Sequence, residues 1–202
     1  MLFRSQKKVE GHTSNAWRPP IVIPRVEDLR AAADVLNAGT RTVILAGQGA
    51  LGAGDELEQL ADLMAAPIVK PLLGKGVVAD DSPYTTGGIG LLGTEPSEIA
   101  MEKCDTLLMA GTSFPYMEFY PKHDACRGVQ IDRDASRIGL RFPVEVGLCG
   151  DAKATLQALR SLRLREEIYK GRGLEIKKVE APKPPQAFPD SPPPPPLVPP
   201  TA

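Results

Sequence analysis

The sequence predicts a doubly wound α/β fold on a parallel sheet. Three observations carry this. Several short runs are apolar throughout rather than alternating, as strands buried on both faces are. Helical patterns with three- and four-residue spacing lie between them, and strand–helix alternation favours a parallel sheet covered on both sides. Loops rich in glycine or aspartate follow the strands, where such sheets bind ligands.

Taken in order, residues 26–37 read as a helix, with Val26, Leu29, Ala32, Ala33 and Leu36 on one face. Gly39 is expected to end it as a C-terminal glycine. Residues 42–46 form the first strand and run into Gly47-Gln48-Gly49-Ala50-Leu51-Gly52. A helix over 55–65 follows, with Leu57, Leu60, Ala61 and Met64 inward. Residues 67–70 are a short second strand, and Gly74-Lys75-Gly76 and Asp81-Ser82-Pro83 are loops. Residues 87–93 read as a glycine-rich turn before a helix from 95 to 102. Residues 106–110 are a buried strand closed by Gly111-Thr112-Ser113. Strands over 128–131 and 144–148 complete the sheet; the first ends at Asp132, and the second leads through Gly150-Asp151 into a helix over 152–162.

The 202 residues divide into an extended connector (1–24, with Trp17 and Pro19-Pro20), an α/β body (25–164) and a tail (165–202). The tail is first charged and then holds eleven of the 21 prolines, so it is expected to be disordered or polyproline II. It reads as a solvated tail or as an SH3-type ligand, the basis of a scaffold reading. A net charge of −1 argues against an electrostatic nucleic-acid or membrane binder. No apolar run approaches the roughly 20 residues of a membrane span, and residues 1–10 lack the apolar centre of a signal peptide. Cys104, Cys126 and Cys149 are far apart in sequence and read as reduced, mostly buried thiols of a cytoplasmic protein.

Residues 47–52 match GxGxxG between a strand and a helix, where backbone N–H groups can face a phosphate. The alternative is a tight turn alone. A dinucleotide fingerprint also wants an acid at the end of the second strand; here Lys70 and Pro71 stand there. Asp132 at a strand end can bind both hydroxyls of a ribose. Asp151 reads equally as a helix N-cap or a ligand contact. Gly111 to Pro115 offer N–H groups and hydroxyls to a phosphate or form a plain loop, and Lys75 meets a phosphate or solvent. His12 and His123 are the only histidines, and His123 reads as exposed. No Ser-His-Asp set, carboxylate pair or metal cluster stands out.

The ordered pieces Trp17-Arg18-Pro19-Pro20, Val43 to Ala50, Gly74-Lys75-Gly76-Val77, Gly87-Gly88-Ile89-Gly90, Gly111 to Tyr116, Phe119-Tyr120-Pro121, Gln130-Ile131-Asp132, Ile138-Gly139 and Gly150-Asp151 together resemble one family. It is the central domain of thiamine-diphosphate-dependent enzymes of the pyruvate oxidase and acetolactate synthase type. The segment from Gly111 to Tyr120 looks most like the pyruvate oxidase and pyruvate:quinone dehydrogenase branch. The resemblance implies a Rossmann-like sheet that often holds the ADP part of FAD. It would put contacts on Gly88, Ile89, Gly90, Leu91, Gly111, Thr112, Ser113, Phe114, Pro115, Asp132 and Asp151. It also implies a homo-oligomeric parent enzyme in which other domains hold thiamine diphosphate and magnesium. The activating glutamate and the Gly-Asp-Gly…Asn magnesium motif of those domains are not found here, so the chain is expected to be a fragment or split subunit, not catalytic alone. A competing reading is an independent NAD-binding enzyme of the deacylase or deoxyhypusine synthase type.

Overall fold

The computed structural model describes residues 19–162. Residues 1–18, with Trp17 and Arg18, and residues 163–202, with the proline-rich tail, lie outside the described residues. Six parallel strands form one sheet in the order β3-β2-β1-β4-β5-β6. They are β1 (Thr42–Ala46), β2 (Ile68–Pro71), β3 (Thr85–Ile89), β4 (Thr106–Ala110), β5 (Arg127–Asp132) and β6 (Val146–Cys149). Four helices accompany them: α1 (Val26–Ala38), α2 (Gly54–Met64), α3 (Glu95–Lys103) and α4 (Ala152–Ser161).

The strands divide their apolar side chains between two cores, because successive residues point to opposite faces. Ile44, Ala46, Ile68, Leu108, Ala110, Val129, Ile131 and Leu148 face α1, α2 and α4. Val43, Leu45, Val69, Leu107 and Met109 face the other way. There they meet Met101 of α3 and an aromatic group, Phe114, Tyr120 and Phe142. The second face is thus covered largely by one helix and an irregular segment. The Tyr120 and Phe142 rings stack there with centroids 5.7 Å apart.

Three expectations are corrected. Residues 87–89, read as part of a turn, belong to β3, whose edge position beside β2 supplies the pairing their sequence does not advertise. Gly39 does follow α1, but with φ −67° and ψ 142° it is not left-handed. Its side chain is excluded by space: a Cβ would lie 2.5 Å from Thr106 Oγ1 and 2.7 Å from Thr42 Oγ1. Val26, assigned to the inner face of α1, is 44% exposed, and Val35 is buried instead.

The connector is pinned at the carboxyl edge of the sheet. The Asp151 N–H donates to Val22 O at 2.8 Å, and a Cβ on Gly150 would meet Pro24 and Val22. At the amino edge, the Asp105 carboxylate accepts from the N–H groups of Thr40 and Arg41 at 3.0 Å and from the Thr106 hydroxyl at 3.1 Å.

Candidate functional site

The strand order reverses between β1 and β4, so the loops after these strands diverge at the carboxyl edge and open a crevice. The loop after β1 is a single 3-10 turn, Gln48–Ala50. Three of its N–H groups are engaged: Gly47 N–H donates to Ala110 O at 2.9 Å, Gly49 N–H to Gly111 O at 2.8 Å and Ala50 N–H to Gly47 O at 3.0 Å. Residues 47–50 therefore lock β1 to the β4 loop, and Gly47, Gln48 and Gly49 also line the cleft at this edge. Gly49 and Gly111 are in main-chain contact; a Cβ on Gly111 would lie 2.5 Å from Gly49 C.

All eleven residues carried over by resemblance line one cleft of about 1350 Å³. It crosses the carboxyl edge from Gly88, Ile89, Gly90 and Leu91 at β3, past Gly111 to Pro115 after β4, to Asp132 and Asp151 after β5 and β6. From β3 to β5 there are four strand spacings, about 19 Å. That span suits an extended dinucleotide better than a single nucleotide.

The β4 loop is rigidly held. Gly111 N–H donates to Ile131 O at 2.8 Å, and Phe114 N–H donates to the Thr112 hydroxyl at 3.2 Å. The Tyr120 hydroxyl donates to Phe114 O at 3.0 Å, and burial pushes that phenol above its ordinary range, keeping it a donor. The Thr112 and Ser113 N–H groups take no part in the sheet ladder. Phe114 closes the floor toward β3, where a Cβ on Gly90 would sit 3.4 Å from its ring.

Asp132 is 8% exposed, and its Oδ1 accepts from Asp134 N–H at 3.0 Å. No hydrogen bond engages its Oδ2 among the described residues. Asp151 occupies the N-cap position of α4 without a side-chain capping bond; its carboxylate instead accepts from Arg133 Nη2 at 2.5 Å. Gln130, buried in β5, holds the next loop by accepting from Gly139 N–H at 2.9 Å and donating to Arg137 O at 3.0 Å.

Sequence reasoning missed Lys70 as a cleft residue. Its ammonium is buried at the end of β2 and donates to Asp80 Oδ1 at 2.7 Å and Val78 O at 3.2 Å. The bond from Lys70 and its charge hold the Asp80 carboxyl below the usual range. The apolar strand pattern around residue 70 gave no hint of a buried cation; only the absence of the expected acid marked the position. Arg133 and Arg137 also line the cleft, flagged in sequence only by their proximity to Asp132. Lys75 lines it and faces Asp80 at 3.7 Å. Leu72 and Leu91 form an exposed apolar lip with Leu92, which is 91% exposed. His123 is exposed, stacked on Phe142 with centroids 5.3 Å apart. Among the described residues no group of three or more His, Cys, Asp or Glu could hold a metal, and no helix is long and apolar enough to cross a membrane.

Strand order, with a cleft at its reversal, defines a Rossmann-like α/β domain. Residues 29–159 match the family model "Thiamine pyrophosphate enzyme, central domain". The chain belongs to that family. It is 41% identical over 167 residues to the Bacillus subtilis protein named "Putative thiamine pyrophosphate-containing protein YdaP", covering 82% of this chain and 29% of the relative. It is 30% identical over 149 residues to pyruvate oxidase of Lactiplantibacillus plantarum, covering 73% and 25% respectively. It is 28% identical over 166 residues to acetolactate synthase 1 of Oryza sativa, covering 80% and 25%. The chain thus spans between a quarter and a third of the length of these relatives.

Proposed function

We propose that the cleft holds the adenylate half of FAD, as the central domain of a thiamine-diphosphate-dependent enzyme acting on a 2-oxo acid such as pyruvate. The observation that carries this reading is the gathering of all eleven residues along one cleft at the strand reversal. The donor set fits the group: Asp132 has an unengaged carboxylate oxygen for the adenosine ribose, and the Thr112 and Ser113 N–H groups adjoin the pyrophosphate path. Ile89 and Leu91 offer an apolar wall opposite. When bound, FAD would supply an electron acceptor, with thiamine diphosphate and magnesium held by other domains or subunits of a homo-oligomeric, cytoplasmic enzyme. The apolar lip at Leu72, Leu91 and Leu92 is where such domains would close over the cleft.

Calorimetric titration of ADP, FAD and NAD into wild type and Asp132→Ala tests the reading. Loss of a charge-assisted hydrogen-bond pair costs about 1.5–3 kcal/mol, or roughly ten- to a hundredfold in affinity. FAD and ADP should bind the wild type, with the variant weakened by that factor and its circular dichroism unchanged. Equal affinity in both proteins removes Asp132 from the site. Binding of NAD in preference to FAD and ADP would favour the independent NAD-enzyme reading, and no binding at millimolar ligand would leave the domain a structural one.

A further inference from the structure

The parallel pairing of β4 with β5 does something the sequence conceals. Thr106 and Arg127 are register partners, so the residues just before these strands become neighbours. Cys104, which follows α3, and Cys126, which precedes β5, meet at the amino edge of the sheet, opposite the cleft. Their sulfur atoms are 3.6 Å apart. Both are largely enclosed, with relative exposures of 4% and 7%. Their other polar contacts are weak ones to main-chain carbonyls, Met101 O at 3.2 Å and Arg127 O at 3.5 Å. A disulfide requires the sulfurs to approach by about 1.5 Å further. Neither cysteine lies within a helix or strand: Cys104 is the C-cap residue of α3 and Cys126 directly precedes β5. Cys149, the third thiol, is exposed and lies at the other end of β6.

We propose that Cys104 and Cys126 form a reversible redox modification site, a dithiol that hydrogen peroxide converts into an intramolecular disulfide. In the first step the Cys126 thiolate attacks one peroxide oxygen. The O–O bond breaks, hydroxide leaves and Cys126 becomes a sulfenic acid. In the second step the Cys104 sulfur attacks the Cys126 sulfur, the S–O bond breaks, and water departs with the thiol proton. In sum, two thiols and one peroxide give one disulfide and two waters; the sulfurs lose two electrons and the peroxide gains them. A small-molecule dithiol reverses the change. The assignment of roles follows the shared hydrogen bond. The Cys104 thiol beside Cys126 draws the Cys126 thiol below its ordinary range, while that same contact, and then burial, push Cys104 up. The lower thiol is the attacking one. The linkage would staple the foot of α3 to the foot of β5 and close the segment that carries Thr112 to Pro115.

The test uses the full chain with Cys149→Ser, which removes the exposed competitor and leaves the pair intact. Under native conditions, stoichiometric hydrogen peroxide should lower the titratable thiols from two to none and reduce the intact mass by about 2 Da, one hydrogen per sulfur. Peptide mapping should recover one cross-linked species joining the peptides of Cys104 and Cys126, and dithiothreitol should restore both thiols. With Cys104→Ser added, oxidation should stop at a Cys126 sulfenic acid that dimedone traps. Retention of both thiols in the native protein overturns the proposal. So does a Cys126 sulfinic acid without cross-link, or a cross-link that forms only in urea. The Cys149→Ser outcomes need no substitution in the buried pair, so failure of the Cys104 variant to fold does not obscure them.

Discussion

Gly111→Ala should cost considerably more stability than Gly52→Ala, although both glycines have positive φ, +58° and +81°. An alanine in the left-handed region costs about 1–2 kcal/mol, partly offset by about 0.4–1 kcal/mol from the stiffer unfolded chain. At Gly52 this is the whole effect, since an added Cβ meets nothing within 4 Å. At Gly111 the Cβ meets three main-chain atoms: Gly49 C at 2.5 Å, Gly49 Cα at 2.6 Å and Ala50 N at 2.7 Å. Main chain cannot rotate aside as a side chain can, so the β1 and β4 loops must separate, at a further cost of about 1–3 kcal/mol. The expected losses are about 1 kcal/mol at Gly52 and about 2–4 kcal/mol at Gly111. For a domain of this size, about 2–4 °C accompanies each kcal/mol. Thermal melting followed by circular dichroism should therefore show a fall of about 2–4 °C for Gly52→Ala and about 4–16 °C for Gly111→Ala. Equal losses would refute the tight apposition of the two loops and, with it, the account of why both Gly49 and Gly111 are glycines.

Lys70→Met should be the milder of two changes at the β2 end. Methionine refills the space of the buried stem and the exposed Asp80 carboxylate returns to water, whereas Asp80→Ala leaves an enclosed ammonium with only Val78 O. Urea midpoints should fall further for Asp80→Ala, and the reverse order would contradict the burial of Lys70. Asp105→Asn gives a pH signature. Burial alone would raise the Asp105 carboxyl, but the donors on Thr40, Arg41 and Thr106 outweigh it and hold it below the ordinary range. A depressed folded value stabilises above the unfolded pKa of about 4 and is lost as pH falls through the lower folded one. The stability gap between wild type and Asp105→Asn should be widest from pH 5 to 7, by about the same amount throughout, and should shrink toward pH 2; a gap independent of pH would show that the carboxylate charge plays no part.

The elements most legible in the sequence were those buried on both faces. β1 and β4 are buried at every position, and apolar at all but the opening Thr42 and Thr106, because helices lie over one side of them and Met101 and aromatic rings over the other. The inner stripe of α2 was legible for the related reason that a single face, Leu57, Leu60, Ala61 and Met64, is buried. β3 was hidden, since Thr85-Thr86-Gly87-Gly88-Ile89 has little strand character of its own and depends on the edge of β2. The last strand was expected over 144–148 and lies at Val146–Cys149, because its ends are set by pairing with β5. The cleft was legible position by position, since each expected residue stands at or just beyond the carboxyl end of a strand. Its electrostatics were not. The Lys70–Asp80 and Arg133–Asp151 pairs join residues from separate stretches of chain, and no local pattern announces them. The approach of Cys104 and Cys126 was invisible for the same reason, being a product of strand register.

The contact between Val22 and Asp151 has a practical bearing on how this domain can be instrumented. It brings the incoming chain to the same rim as the cleft, whereas α4 starts at that rim and carries the outgoing chain away. Ten helical residues, at about 1.5 Å each, put its far end roughly 15 Å along that path. A fluorophore or affinity handle attached at the exposed Ile21 would sit beside the Val22–Asp151 contact, on the rim that Asp151 shares with the cleft. The same attachment at Ser161, the far end of α4, would leave the mouth open. On the binding proposed for the cleft, a dye on the first side and immobilisation through the second would make the domain a ligand sensor without altering Asp132 or the β4 loop.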